Sequence, residues 1–425
     1  MSLKLKDGDR VCIIGGGPAG SFAAIHLLRL ARLRGIQLEV LIFEPRDFNT
    51  PGPGGCNRCA GILSSRLLGA LDRLGIGLLE AVVQADLYAY AAHLDGGVLR
   101  IERPDPARRI VSVYRGGGPR LNRGEPQASF DGFLLSQACA HGAQHVPARV
   151  RKVEWNSRPV VFTARERFPA DFLVLATGVN SRAPMAREFG YRPPKTEIMA
   201  QDEMLRPPDW SKDTVSAFFR DPPGLVFGAL IPKGDYLNLS LLGKGLNVDT
   251  ISNFIEAQGL DPNFFSPLNS LCGCNPRIAV GPAGHFFGRR WVAVGDAAVT
   301  RLYKDGIGSA FFTARSAMQV AVERGVSWRD FARHYAPFCQ HVARDNLYGR
   351  LLFRMWNYTL RIPSLLRAWT DAVTQEAGRP PGQRLHTRVL WGMFTGDEPY
   401  RDLFWISVSP GSLRGIWSSW EKNRA

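Results

Sequence analysis

Three kinds of short run in this sequence could do chemistry. Near the start, Gly15-Gly16-Gly17-Pro18-Ala19-Gly20 satisfies G-x-G-x-x-G through Gly15, Gly17 and Gly20. The first glycine permits a tight turn, the second lets backbone approach a pyrophosphate, and the third lets a helix pack close to a strand. The amides at the helix start that follows Pro18 and Ala19 would face the phosphates with the helix dipole behind them. Glu44 lies 24 residues beyond Gly20, followed by Pro45 and Arg46. A carboxylate there accepts hydrogen bonds from a ribose diol and repels a 2′-phosphate, which favours FAD or NAD over NADP. A second acid stands in Gly295-Asp296, ahead of Gly306-Ile307-Gly308. The third kind is thiol chemistry, in Cys56-x-x-Cys59 and Cys272-Gly273-Cys274.

Each run needs an element to hold it. The apolar Val11-Cys12-Ile13-Ile14 reads as a buried parallel strand feeding the glycine turn. A helix is expected from Ser21, with apolar positions at Phe22, Ile25, Leu27, Leu28, Leu30 and Leu33, and a second strand over residues 38–43 ends at Glu44. Residues 170–182 read as a strand closing on Thr177-Gly178, and residues 291–298 as another closing on Gly295-Asp296. The carboxylate of Asp296 would meet a ribityl hydroxyl. The helix predicted through Phe311, Ala314, Ala317, Val320 and Ala321 would set amides near the flavin N1/O2 edge.

This constellation resembles the glutathione-reductase-like FAD superfamily and, within it, the geranylgeranyl reductase family, over roughly residues 8–325. The resemblance is carried by the 15–20 run, Cys56-Asn57-Arg58-Cys59-Ala60-Gly61-Ile62-Leu63, Ala176-Thr177-Gly178 and Gly295-Asp296-Ala297-Ala298. Phe227-Gly228-Ala229-Leu230-Ile231-Pro232-Lys233-Gly234-Asp235 is similar to that family's Phe-Pro-Lys-Gly segment. Related aromatic hydroxylases carry Ala-Asp-Gly where this chain has Ala176-Thr177-Gly178, which points to the reductase branch.

The resemblance implies FAD as cofactor, an α/β fold with a Rossmann-like FAD-binding domain, an inserted mixed β-sheet substrate domain, and a C-terminal helical region. It implies hydride transfer from flavin N5, reducing a carbon–carbon double bond of a hydrophobic isoprenoid or lipid-like substrate. It also sets Cys59 and Ala60 close to the flavin ring, with Cys59 as the thiol beside the chemistry; Cys56, which this chain adds to the family pattern, is a second candidate thiol. Two departures stand out. Gln127 occupies the place where the family carries an arginine ahead of Phe130-Asp131, and the Ile231-Pro232-Lys233 segment lacks paired aromatics before it. The competing readings are a flavin-dependent monooxygenase or halogenase, and a membrane-docked electron-transfer flavoprotein working through its cysteine pairs.

Those pairs leave three alternatives open: a thiol acting near the flavin, a disulfide or four-cysteine metal site, or unreactive packing. Cys12, inside a strand, is expected in the core. Seven unevenly spaced cysteines do not form a secreted disulfide framework. The polar first ten residues and the absence of a long apolar run predict neither secretory signal nor spanning helix, hence a cytoplasmic protein.

The charged residues, 53 basic against 38 acidic, give +15 and favour anionic partners. No nucleic-acid module accompanies that charge, so nucleic acid is not expected as a partner. Arg344, Arg350, Arg354 and Arg367 alternate with Leu351, Leu352, Phe353, Trp356 and Trp369 in a helical C-terminal third. That mixture suits an anionic membrane surface, a helical cap or a dimer interface. No second dinucleotide fingerprint is present, so NAD(P)H, ferredoxin or a quinol is the expected electron donor. The expected division is a discontinuous FAD domain at 1–81, 126–187 and 275–325, a substrate sheet at 82–125 and 188–274, and the helical region at 326–425.

Overall fold

The run at residues 11–14 becomes the strand Arg10–Ile14 in the middle of a parallel sheet. Its neighbours run in the order Phe287–Gly288, Trp291–Ala293, Phe172–Leu175, Arg10–Ile14, Glu39–Phe43, Gln144–Val146. Only the Phe287–Gly288 strand is antiparallel to its neighbour. Val11, Cys12 and Ile13 have no exposed surface, as a central strand covered on both faces requires. The computed structural model describes residues 3–122, 124–219, 224–247, 249–265 and 267–422.

The helix expected from Ser21 starts three residues earlier, as Pro18–Leu33. Proline belongs naturally in a first helical turn, because its missing N–H would have no partner there and its φ is already helical. This helix packs on Gly306–Glu323, with Phe22 and Phe311 edge-to-face at 5.0 Å. The strands read within 170–182 and 291–298 prove short, Phe172–Leu175 and Trp291–Ala293, and each is followed at once by a turn. Together with a three-stranded antiparallel sheet at residues 152–169, these elements form one compact unit: Met1–Cys59, Tyr114–Glu197 and Pro276–Ala343.

The second unit comprises Ala60–Val113, Ile198–Asn275 and Arg344–Ala425. Its main sheet runs Thr196–Leu205, Tyr236–Gly243, Leu225–Lys233, Thr214–Phe218, Ala89–Leu94, Gly97–Glu102. The pair formed by Thr214–Phe218 and Ala89–Leu94 is parallel and the others antiparallel, so the sheet is mixed. Of the helical region expected at 326–425, residues 344–425 fall in this unit and 326–343 in the first. Helix Leu385–Thr395 lays Trp391 and Phe394 against Tyr90 of the sheet, at ring separations of 5.7 and 5.6 Å. All three rings are almost fully buried. Among the described residues, no helix is long and apolar enough to cross a membrane.

Candidate functional site

The glycine turn has the geometry its spacing predicts. Gly15 has φ +102°, and a side chain there would come within 2.6 Å of the Ala176 carbonyl oxygen. A side chain at Gly20 would strike the Gly15 carbonyl oxygen. Helix Pro18–Leu33 opens with neither a side-chain cap nor an acid in its first turn. Its N-terminal amides are therefore turned outward with the dipole uncancelled, as an anion site requires.

Around this turn the other segments converge. Thr177 lies beside Gly15, and its hydroxyl oxygen is buried without a hydrogen-bond partner. Gly178 follows with φ +62°. A Cβ on Gly295 would sit 2.7 Å from that of Ala19, so the Gly295-Asp296 turn abuts the first turn of the helix. A Cβ on Gly306 would lie 3.9 Å from an Asp296 carboxylate oxygen, which joins the start of helix Gly306–Glu323, Ile307 and Gly308 included, to the same place. Sequence-distant residues 15–20, 177–178, 295–296 and 306–308 thus form one cradle.

Glu44 is buried at the end of its strand, but its carboxylate is already engaged. It accepts from the Gly16 amide at 3.1 Å and from the Arg46 backbone, Nε and Nη2 at 3.0–3.1 Å. Ribose hydroxyls would have to compete with Arg46 for it. Pro45 joins the two residues in the chain. Arg46 also reaches the Cys56 carbonyl at 3.4 Å, tying this corner to the cysteine loop.

On that loop Cys56 and Cys59 are half-buried, and the Arg58 amide donates to the Cys56 sulfur at 3.0 Å. Ala60 opens the second unit. Cys272 and Cys274 lie in that second unit, on a turn held by Asp202, which accepts from the Cys272 and Gly273 amides at 3.0 and 2.9 Å. None of the seven cysteines is bridged, and among the described residues no group of three or more His, Cys, Asp or Glu could hold a metal ion.

Sequence reasoning gave no role to three charged residues of the site. Arg115 grips both carboxylate oxygens of fully buried Asp131, with Nη2 at 2.9 Å, and Asp131 also accepts from Asn57. Asn57 in turn covers Gly17, 2.8 Å from where a Cβ would stand. A buried guanidinium therefore does stand beside Phe130-Asp131, supplied from sixteen residues upstream and not from position 127. Burial opposes its charge, but Asp131 outweighs burial, and negative charge at Cys59 and Cys56 would add to it; the net result is an arginine held charged. The only sequence signal was an arginine opening a glycine run.

Burial pushes the Asp296 carboxyl above its usual range, against a hydrogen bond with Thr300 and the charge of Arg115. Burial alone pulls the Lys304 ammonium down to about 7. A lysine with its proton loosened in this way, two residues from Gly306 of the cradle, has the properties of a proton donor or acceptor.

No protein-family model matches the chain, and no curated protein matches it. Solved structures do. A geranylgeranyl bacteriochlorophyll reductase-like protein from Thermoplasma acidophilum superimposes with a TM-score of 0.66 at 15% identity, over 97% of this chain and 99% of that one. A variant of HpxO from Klebsiella pneumoniae, complexed with FAD, gives 0.60 at 16% identity over 91% and 98%. The flavin-dependent halogenase CmlS gives 0.58 at 20%, over 81% of this chain and 64% of its own. At these identities the likeness is one of fold alone.

Proposed function

We propose that this chain binds FAD and works as an FAD-dependent oxidoreductase, reducing a carbon–carbon double bond of a hydrophobic, isoprenoid or lipid-like substrate. The observation that carries the reading is the convergence of the uncapped helix start at residues 15–20, the partnerless Thr177 hydroxyl and buried Asp296 at one end of a parallel sheet. When bound, FAD supplies the two-electron chemistry.

The chain's own residues have the remaining tasks. The first-turn amides hold the diphosphate, Glu44 takes the ribose once Arg46 yields, and Asp296 takes the sugar-alcohol chain. Gly306, Ile307 and Gly308 offer amides where negative charge develops, with the Asp305 carboxylate folded over that turn, since a side chain at Gly308 would strike it. Lys304 holds a proton that can leave at neutral pH. Cys59, within the field of Arg115, is the thiol of the site.

The likeness to the Thermoplasma acidophilum protein over nearly the whole chain supports reduction. The likeness to CmlS supports a second reading, an oxygen-dependent halogenase or hydroxylase. Turnover of a polyprenyl substrate without oxygen, with NAD(P)H, dithionite or reduced ferredoxin as donor, separates them. Saturated product formed anaerobically is the expected result. Product formed only in air, hydroxylated or halogenated, would replace the first reading by the second.

A further inference from the structure

Helix Ala336–Arg361 presents two apolar faces from Arg344 onward. One is internal: Leu352, Phe353, Trp356 and Leu360 are at most 8% exposed. The other is on the surface. Leu347 is 53% exposed, Leu351 43%, Met355 36%, Tyr358 58%, and Ile362, just past the helix end, 46%. Steps of four, four, three and four residues draw one line down a helix with 3.6 residues per turn. A surface helix ordinarily carries polar side chains on that line.

Arginines accompany the stripe. Arg344, Arg350, Arg354 and Arg361 are exposed on the helix, and Arg367 on the next one. The only acid in residues 344–367 is Asp345, whose carboxylate is taken by the Tyr400 and Arg401 amides at 3.0 and 2.9 Å. The apolar surface continues through Tyr348, whose ring lies 5.5 Å from Phe404, to Trp405, 5.4 Å beyond and 56% exposed.

We propose that this face docks the protein on an anionic bilayer surface, the helix lying in the plane of the headgroups. The stripe is about 20 Å long, suited to shallow insertion, while the arginines extend to lipid phosphates. Tyr358 and Trp405 are side chains that favour the headgroup level. A second copy of the chain is the poorer occupant, because a twofold contact would set two rows of arginine against each other. The net charge of +15 adds long-range attraction to the same partner.

The test is sedimentation of the full chain with vesicles of phosphatidylcholine alone or with about a third phosphatidylglycerol. The expected result is binding to the anionic vesicles only, weakened by salt. Arg354→Glu with Arg361→Glu should reduce it about tenfold or more, and Leu351→Ser with Tyr358→Ser should reduce it at every salt concentration. Circular dichroism and melting should match the parent, since these side chains are exposed. Equal binding to neutral vesicles, no binding to either, or variants that only convert a dimer into a monomer would each overturn the proposal.

Discussion

Among the described residues each unit holds a buried carboxylate paired with a lysine or arginine, and the two pairs are built differently. In the first unit Arg115 meets both oxygens of Asp131, which also takes Asn57, so the carboxylate accepts three hydrogen bonds. In the sheet unit Lys233, 2% exposed, donates from its ammonium to Glu203 at 3.2 Å. From there a chain of side chains continues: Asn238 to Glu203 at 3.5 Å, Ser240 to Asn238 at 2.7 Å, Gln201 to Ser240 at 2.7 Å. A planar guanidinium fork fixes geometry, whereas an ammonium is a point charge that can exchange partners. The first pair therefore holds the Asn57 loop over the glycine turn. The second is a relay of hydroxyl and amide groups running from strand to strand.

The sharpest way to break this contrast is Arg115→Met. It strands a fully buried carboxylate and should cost about 3–5 kcal/mol in urea unfolding, with loss of retained FAD. Lys233→Met should cost less, about 2 kcal/mol, because Glu203 keeps Asn238 as donor. If the second substitution proves as damaging as the first, the distinction between lock and relay fails.

Lys304 gives a smaller, pH-dependent effect. Its folded value of about 7 lies below the ordinary lysine value of about 10, so folding releases a proton between those limits. The burden on stability is complete below about pH 7 and fades as pH rises toward 10. Lys304→Met should flatten that rise in a series of melts, and should also remove any limb near pH 7 from the rate profile of substrate reduction. Smallest of all, Glu44→Gln should leave the fold intact and weaken FAD binding about tenfold, read by fluorescence titration.

What could be read in advance follows the same division. The glycine turn, the strand before it and the Gly295-Asp296 turn are dictated by backbone demands within a few residues, so spacing alone exposes them. The helix start at Pro18 was misplaced only because a proline at the first turn reads equally well as loop. Residues 111–118 read as a strand and loop over the isoalloxazine, but nothing local reveals that Asp131 will close on Arg115. Lys304 was visible as a lysine, but not its partial withdrawal from water, which is what moves its proton. The Lys233 relay joins strands tens of residues apart in the chain. In the C-terminal third the Arg and apolar mixture was legible, but which apolar line faces outward depends on Tyr400 and Phe394 packing against the other side.

The most direct test of the account is FAD uptake by the purified, folded chain, followed by visible absorption and gel filtration. The account predicts one FAD retained per chain, with retention weakened by Asp296→Asn and by Thr177→Val. A folded chain that takes up no FAD, or that holds it equally well after both substitutions, would contradict it.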